Sequence, residues 1–241
     1  MQTGLSVALS AQVALQNRLD TIAGNVANAN TAGFRAEEVS FETLLNQVGG
    51  DPIAFASAGQ TYTSRRAGEL LKTDAPLDVA VQGEAWLAIQ TQDGTVYTRD
   101  GRMRMLDTGE LQTLTGHSVL DVGGAAILLD PNAGPPQIAR DGMITQNKQQ
   151  VGAIGLFRID ENARLTRAEN SGVIPDRPAE PELDFARSGV VQGFIERSNV
   201  NPVLEMSHLI AVTRAFDSIA NTINQTEETY RQAVRQLGAS T

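Results

Sequence analysis

From Asn199 to the C-terminus the chain holds one proline, Pro202, and one glycine, Gly238; an unbroken apolar stripe lies between them. Leu209, Phe216, Ile223, Tyr230 and Leu237 recur every seven residues, and Val212, Ile219, Thr226 and Ala233 fill the position three later. Two rows at this spacing fall on one face of an α-helix. A proline in the first turn is a good helix start, since its missing N–H has no partner there anyway. The pattern predicts a helix from Pro202 to Leu237, roughly 54 Å long at 1.5 Å per residue. That is about three times the usual globular helix. A helix so long with a single apolar stripe points to a coiled coil or a helical array.

The N-terminus carries a second seam. Leu5, Gln12, Leu19 and Val26 recur every seven residues, with Ala8, Leu15 and Ile22 three positions on. Leu9 and Val13 widen the stripe, and a helix is predicted over Gly4–Val26. Its polar face is built from Ser, Gln and Asn more than from Lys and Glu, so that face too invites cover. The two helices could pair with each other as a hairpin, or with helices of other copies. Self-assembly is the stronger expectation. The C-terminal helix outruns its mate by about ten residues, and each large apolar side chain left bare forgoes roughly 1.5–3 kcal/mol. On this reading Phe216→Asp or Ile223→Asp abolishes assembly and leaves the middle of the chain folded.

Between the helices the periodicity changes. Short apolar runs are punctuated by Asp93-Gly94, Asp100-Gly101, Asp107-Thr108-Gly109 and Asp141-Gly142. Asp-Gly between alternating segments signals hairpins, because both residues tolerate positive φ. Residues 76–170 are therefore expected to be β-rich. Residues 37–75, rich in small residues beyond 46, read as an extended arm. Residues 171–198, with three prolines, read as a connector leading to the C-terminal helix. The expected fold is α+β and elongated: a mainly β middle domain inserted between helices (1–36 and 199–241) that form a coiled-coil-like assembly domain.

Charge follows the same division. The formal net charge is −9, yet residues 1–36 carry +1 and residues 190–241 carry −1, so the stretch 37–189 holds the whole excess. Near-neutral ends can crowd together, whereas an acidic middle suits water and disfavours nucleic acid. No run of apolar residues is long enough to insert in a membrane. The first twenty residues lack the basic and apolar regions of a cleaved signal. There is no cysteine, which removes disulfides and thiolate chemistry.

Nothing in the chain is equipped for catalysis. His117 and His208 are the two histidines, in separate regions, and no phosphate loop, nucleophile elbow or zinc-binding helix motif occurs. The carboxylates sit mainly in turns, where Asp makes local hydrogen bonds. No catalytic residue, cofactor or metal site is expected. An enzyme working through an unrecognised carboxylate pair is the weakest alternative.

One stretch remains, Asn25 to Ala36, "NVANANTAGFRA". Its asparagines can satisfy backbone groups where a helix frays, Gly33 can take a positive φ, and Phe34 can plug an apolar site. The stretch resembles the signature of the bacterial flagellar axial proteins, the rod and hook family. That signature runs N-x-A-N-x-x-T-x-G-[FY], and Asn25, Ala27, Asn28, Thr31, Gly33 and Phe34 fill it. "VVQGFIERSNVNPVLEMSHLI" is similar to the family's approach to the last helix, with Gly193, Glu196, Ser198, Asn199, Val200 and Glu205 in register. "DVAVQGEAWLAIQ" and the following hairpins look like its β domain. The three motifs occur in order and span nearly the whole chain. The short length and the pair Trp86-Leu87 look most like proximal-rod members, with a distal-rod member as the alternative.

The resemblance implies a structural subunit of the flagellar basal-body rod, a torque-transmitting tube that spans the periplasm. It implies export by the flagellar type III apparatus without a cleaved signal. The implied partners are other copies, other rod proteins and, as a further candidate, the basal-body rings. The residues expected in subunit packing are Leu5, Leu15, Leu19, Ile22, Asn25, Val26, Asn28, Thr31, Gly33, Phe34, Asn199, Leu209, Phe216, Ile223, Tyr230 and Leu237. A closed coiled-coil scaffold or adhesin is the competing reading; its fixed solution mass would distinguish it from a rod block that stays monomeric until nucleated.

Overall fold

The computed structural model describes residues 2–40, 43–48, 51–56 and 59–238, in two compact units. The first unit comprises Met1–Ala27, Glu37–Tyr62 and Asn201–Thr241. The second comprises Asn28–Ala36 and Thr63–Val200. The architecture is α+β, with a helix at each end of a mainly β middle.

In the first unit, helix α1 runs Gln2–Ala27 and helix α2 runs Pro202–Gly238, 26 and 37 residues. At 1.5 Å per residue they measure about 39 and 55 Å. The start of α2 is specified locally. Asn201 Oδ1 accepts from the backbone N–H groups of Val203 (3.1 Å) and Leu204 (3.2 Å), which have no partner inside the helix. Pro202 takes the position where a missing N–H costs nothing, and Glu205 places negative charge in the first turn. The two helices pack on each other, and α1 also packs against strands Glu37–Ser40 and Asp51–Ala56. Strand Thr43–Val48 pairs antiparallel with Asp51–Ala56, and Glu37–Ser40 pairs with Gln60–Thr63. Most of the stretch expected as an arm is thus two strand pairs.

The second unit is the β body. Its main sheet orders the strands Leu165–Arg167, Val173–Pro175, Gly94–Thr98, Trp86–Thr91, Ser118–Val119, Leu111–Thr113 and Met103–Met105. Leu156–Arg158 also pairs with Trp86–Thr91 and carries Glu180–Pro181 on its other side. Val79, Leu87, Ile89, Leu111, Ile144 and Leu156, all at most 1% exposed, belong to one core. Residues 171–198, expected as a connector, contribute strands of their own. Gly189–Gln192 pairs with Val79–Gln82, and Phe194–Glu196 pairs with Leu70–Lys72.

Three of the four expected Asp-Gly turns close hairpins. Gln92-Asp93 links Thr91 to Gly94, Asp107–Gly109 links paired strands, and Asp141-Gly142 does the same. Asp100-Gly101 does not. The flanking strands Gly94–Thr98 and Met103–Met105 are not neighbours in the sheet. The Asp100 carboxylate instead binds the Arg102 side chain through both oxygens, at 2.8 and 2.7 Å. Gly101 passes so close to Val79 that a Cβ would lie 1.9 Å from the Val79 carbonyl oxygen. The glycine serves close approach rather than a turn.

Candidate functional site

Helix faces decide what an extended apolar pair can bind. On α1, Ala14 and Ile22 are buried, and Ala8, Leu15, Leu19 and Val26 are half-buried. On α2, Val212 is buried, and Leu209, Phe216, Ile219 and Ile223 are half-buried on the same side. The seven-residue seams expected to meet other subunits therefore have substantial cover within the chain. The reason is simple: two apolar stripes on one chain are at high effective concentration and close on each other. The side chains of Leu5, Tyr230 and Leu237 lie outside the described residues.

A second apolar face remains open. At 100° per residue, Val203, Met206 and Ile210 fall within about 60° of one another, on an arc centred about 120° from that of Leu209, Val212 and Phe216. They are 74%, 55% and 55% exposed, and Leu204 beside them is 51% exposed. On α1, Leu9 and Val13 stand 56% and 48% exposed, opposite Ala14 and Ile22. Both helices are thus apolar on the covered face and, in part, on the outer face. The signal was in the sequence as residues "widening" the α1 stripe. On α2 it lay in the run Val203-Leu204-Glu205-Met206, which the seven-residue count skips.

The asparagine-rich stretch is fixed from within. Asn25 is 3% exposed; its amide donates to the Glu37 carbonyl (2.8 Å) and accepts from the Glu37 N–H (2.9 Å), satisfying both backbone polar groups of that residue. Asn28 accepts from Thr31 twice, through its backbone oxygen and its side-chain oxygen. Ala29, Ala32 and Ala36 are buried, so small side chains here let the chain pack tightly. Gly33 has φ +66°, and a Cβ there would lie 2.2 Å from the Asp100 nitrogen; only glycine fits. Phe34 is 5% exposed with the Arg167 guanidinium 4.2 Å from its ring centroid. Asn199 completes the fit: its N–H donates to the Phe34 carbonyl, its Oδ1 accepts from Ala36 N–H (2.7 Å), and its Nδ2 donates to the Arg66 carbonyl. Gly33 and Phe34, expected at a subunit contact, are therefore committed inside the chain.

Beside them sits a charge cluster that no local pattern announces. Arg35 and Arg99 are 1% and 2% exposed, and Glu196 between them is 1% exposed. Glu196 Oε1 lies 2.7 Å from Arg35 Nη2, and its Oε2 lies 3.6 Å from Arg99 Nε. Trp86, the only tryptophan, has Arg35 at 5.7 Å and Arg99 at 5.5 Å from its ring. The guanidiniums also donate to backbone: Arg35 to the Arg65 carbonyl, Arg99 to Val81 and Gly83. Desolvation pulls the Arg99 pKa down to about 10, against the attraction of Glu196 and with the neighbouring Arg35 adding to the drop. Burial likewise lowers Arg35, opposed by Glu196. Both stay charged at neutral pH, so two cations share one buried carboxylate, with the exposed Glu84 adding a smaller attraction on Arg99.

The β body also has a cavity of about 370 Å³ whose rim includes Glu84, Arg158, Asp160, Glu161, Arg177 and Glu180. Its arginines are engaged, Arg158 with Glu180 and Arg177 with Asp160, and the rim offers no nucleophile beside a base. Among the described residues no group of three or more His, Asp or Glu could hold a metal ion, and no helix is long and apolar enough to cross a membrane.

Residues 5–35 match the family model "Flagella basal body rod protein", residues 80–146 the "Flagellar hook protein FlgE/F/G D1 domain", and residues 191–236 the "Flagellar basal body rod FlgEFG protein C-terminal". The chain is 52% identical to the flagellar basal-body rod protein FlgF of Mesorhizobium japonicum, over 99% of both chains. It is 45% identical to that of Rhizobium meliloti over the full length of both. Against the flagellar basal-body rod protein FlgG of Bacillus subtilis it is 29% identical, over 97% of this chain and 98% of that one.

Proposed function

This chain belongs to the flagellar basal-body rod protein family, and we propose that it is a structural subunit of the proximal rod, packing against other copies and other rod proteins through the outer faces of α1 and α2. It acts as a mechanical part and not as an enzyme. Head-to-tail contacts that do not close into a ring build a helical tube. In such a tube many buried seams resist shear together, which is what torque transmission requires. The observation that carries the reading is the open stripe Val203, Met206 and Ile210, with Leu9 and Val13 on the other helix. Large apolar side chains at half to three-quarters exposure are poor solvent neighbours and good interface residues. Near-neutral helical ends remove the repulsion that would oppose crowding them, while the acidic middle favours the solvent side. Higher identity to relatives named FlgF than to those named FlgG supports the proximal position over the distal one. Type III export, a periplasm-spanning location and contact with the rings extend the same reading.

The seam residues are a poor place to test it, because Phe216→Asp or Ile223→Asp would also break the pairing of α1 with α2. Met206→Asp and Ile210→Asp are cleaner, since each of these residues is more than half exposed in the single chain. The double variant is expected to keep the cooperative thermal transition of the β body and to lose basal-body incorporation and swimming. Normal swimming of that variant would remove the outer face of α2 from the account.

A further inference from the structure

The buried cluster Arg35–Glu196–Arg99 has more cation than anion, and that imbalance has a conformational consequence. Arg35 lies in the turn that follows α1, Arg99 in the β body, and Glu196 on the strand that precedes the approach to α2. The turn leans on that strand and its extension. Gly33 N–H donates to the Glu196 carbonyl, Ala36 N–H to Asn199 Oδ1, and Asn199 N–H to Phe34. Arg99 is held by the body itself, through the carbonyls of Val81 and Gly83, whether or not the turn is in place. Bringing Arg35 in alone would set a second guanidinium beside Arg99 with the one buried carboxylate missing and only the exposed Glu84 attracting Arg99. A buried charge whose partner is missing is among the least favourable arrangements a fold can hold.

We propose that Glu196 is an electrostatic latch, which makes docking of residues 33–36 conditional on docking of strand Phe194–Glu196. The turn that ends one helix then becomes ordered only once the strand that leads to the other is in place. The carboxylate is suited to the role. Besides meeting both cations it accepts from the Gly68 N–H at 2.9 Å, so its position is set by the body and not by the turn. The two arginines sit close to the Trp86 ring, and as the sole tryptophan, 3% exposed, it reports on their arrangement.

The test uses the full chain with Glu196→Gln, which keeps shape and the acceptor for Gly68 but removes the charge. Amide hydrogen exchange is read at Gly33 and Ala36, and at Leu87, Ile89 and Leu111 in the core, with Trp86 emission alongside. The latch predicts roughly a hundredfold or greater loss of protection at Gly33 and Ala36, a red-shifted Trp86 emission, and unchanged protection at the three core amides. Adding Arg35→Met, which takes the surplus cation out of the turn, is expected to restore about tenfold or more of the lost protection. Retained protection at Gly33 and Ala36 in Glu196→Gln would overturn the proposal. Equal loss at the core amides would overturn it too, by making Glu196 a general stabiliser. Absence of any recovery with Arg35→Met would overturn the proposal too, because the surplus cation would then not be what keeps the turn from docking.

Discussion

Arginine supplies 17 of the 19 basic side chains, and lysine occurs only at Lys72 and Lys148. The structure gives several of the arginines a reason. Arg65 donates to the carbonyls of Asp160 and Ala163, Arg140 to Ala186, Arg167 to Arg35, and Arg99 to Val81 and Gly83. A planar fork with five N–H groups can bridge segments through backbone oxygens, where a lysine ammonium presents a single point. Lys72, by contrast, makes only an exposed pair with Asp74. Glycine is used with similar economy at position 33. Gly33→Ala forces both a left-handed backbone on a side chain and a Cβ into the Asp100 backbone. We expect destabilisation of about 2–5 kcal/mol in chemical denaturation of the β body. A loss below about 1 kcal/mol would mean that the turn relaxes freely away from Asp100.

At the scale of elements, α2 begins where its sequence says it should. Asn201 caps it, Pro202 opens it and no other breaker follows until Gly238. Asn201→Ala is expected to cost about 1 kcal/mol of helix stability, seen as lower ellipticity at 222 nm with the β body's transition unchanged; full helicity would show that tertiary packing alone sets the start. The helices were legible because a seven-residue stripe is a long, redundant signal. Hairpins at Asp93-Gly94, Asp107–Gly109 and Asp141-Gly142 were legible because a turn is local. Asp100-Gly101 carries the same dipeptide but closes no hairpin, since its purpose, an Arg102 clasp and close passage by Val79, depends on a distant strand. The same limit hid the charge cluster. Arg35, Arg99 and Glu196 lie in three separate stretches, and nothing in the spacing of two arginines and a glutamate indicates that they meet beside Trp86. Glu196 and Asn199 were visible only as members of a resembling motif; their partners were not. The pairing of the two helical seams within one chain was visible as an alternative. The period of a stripe does not say whose stripe will cover it.

The molecule as a whole carries two kinds of apolar surface on the same helices. One, around Ile22 and Val212, is largely covered within the chain; the other, Val203, Met206 and Ile210 with Leu9 and Val13, is about half to three-quarters exposed. A subunit that has used its first face to fold still has a second with which to assemble. The absence of cysteine makes a direct measurement possible, because a single thiol introduced at Met206 has no competitor in the chain. Its reaction rate with a small, water-soluble maleimide should be fast in the free protein and at least about tenfold slower in isolated basal bodies, where a neighbour covers it. Equal rates in the two states, in basal bodies that contain the variant at normal amount, would contradict the claim that this face is where subunits meet.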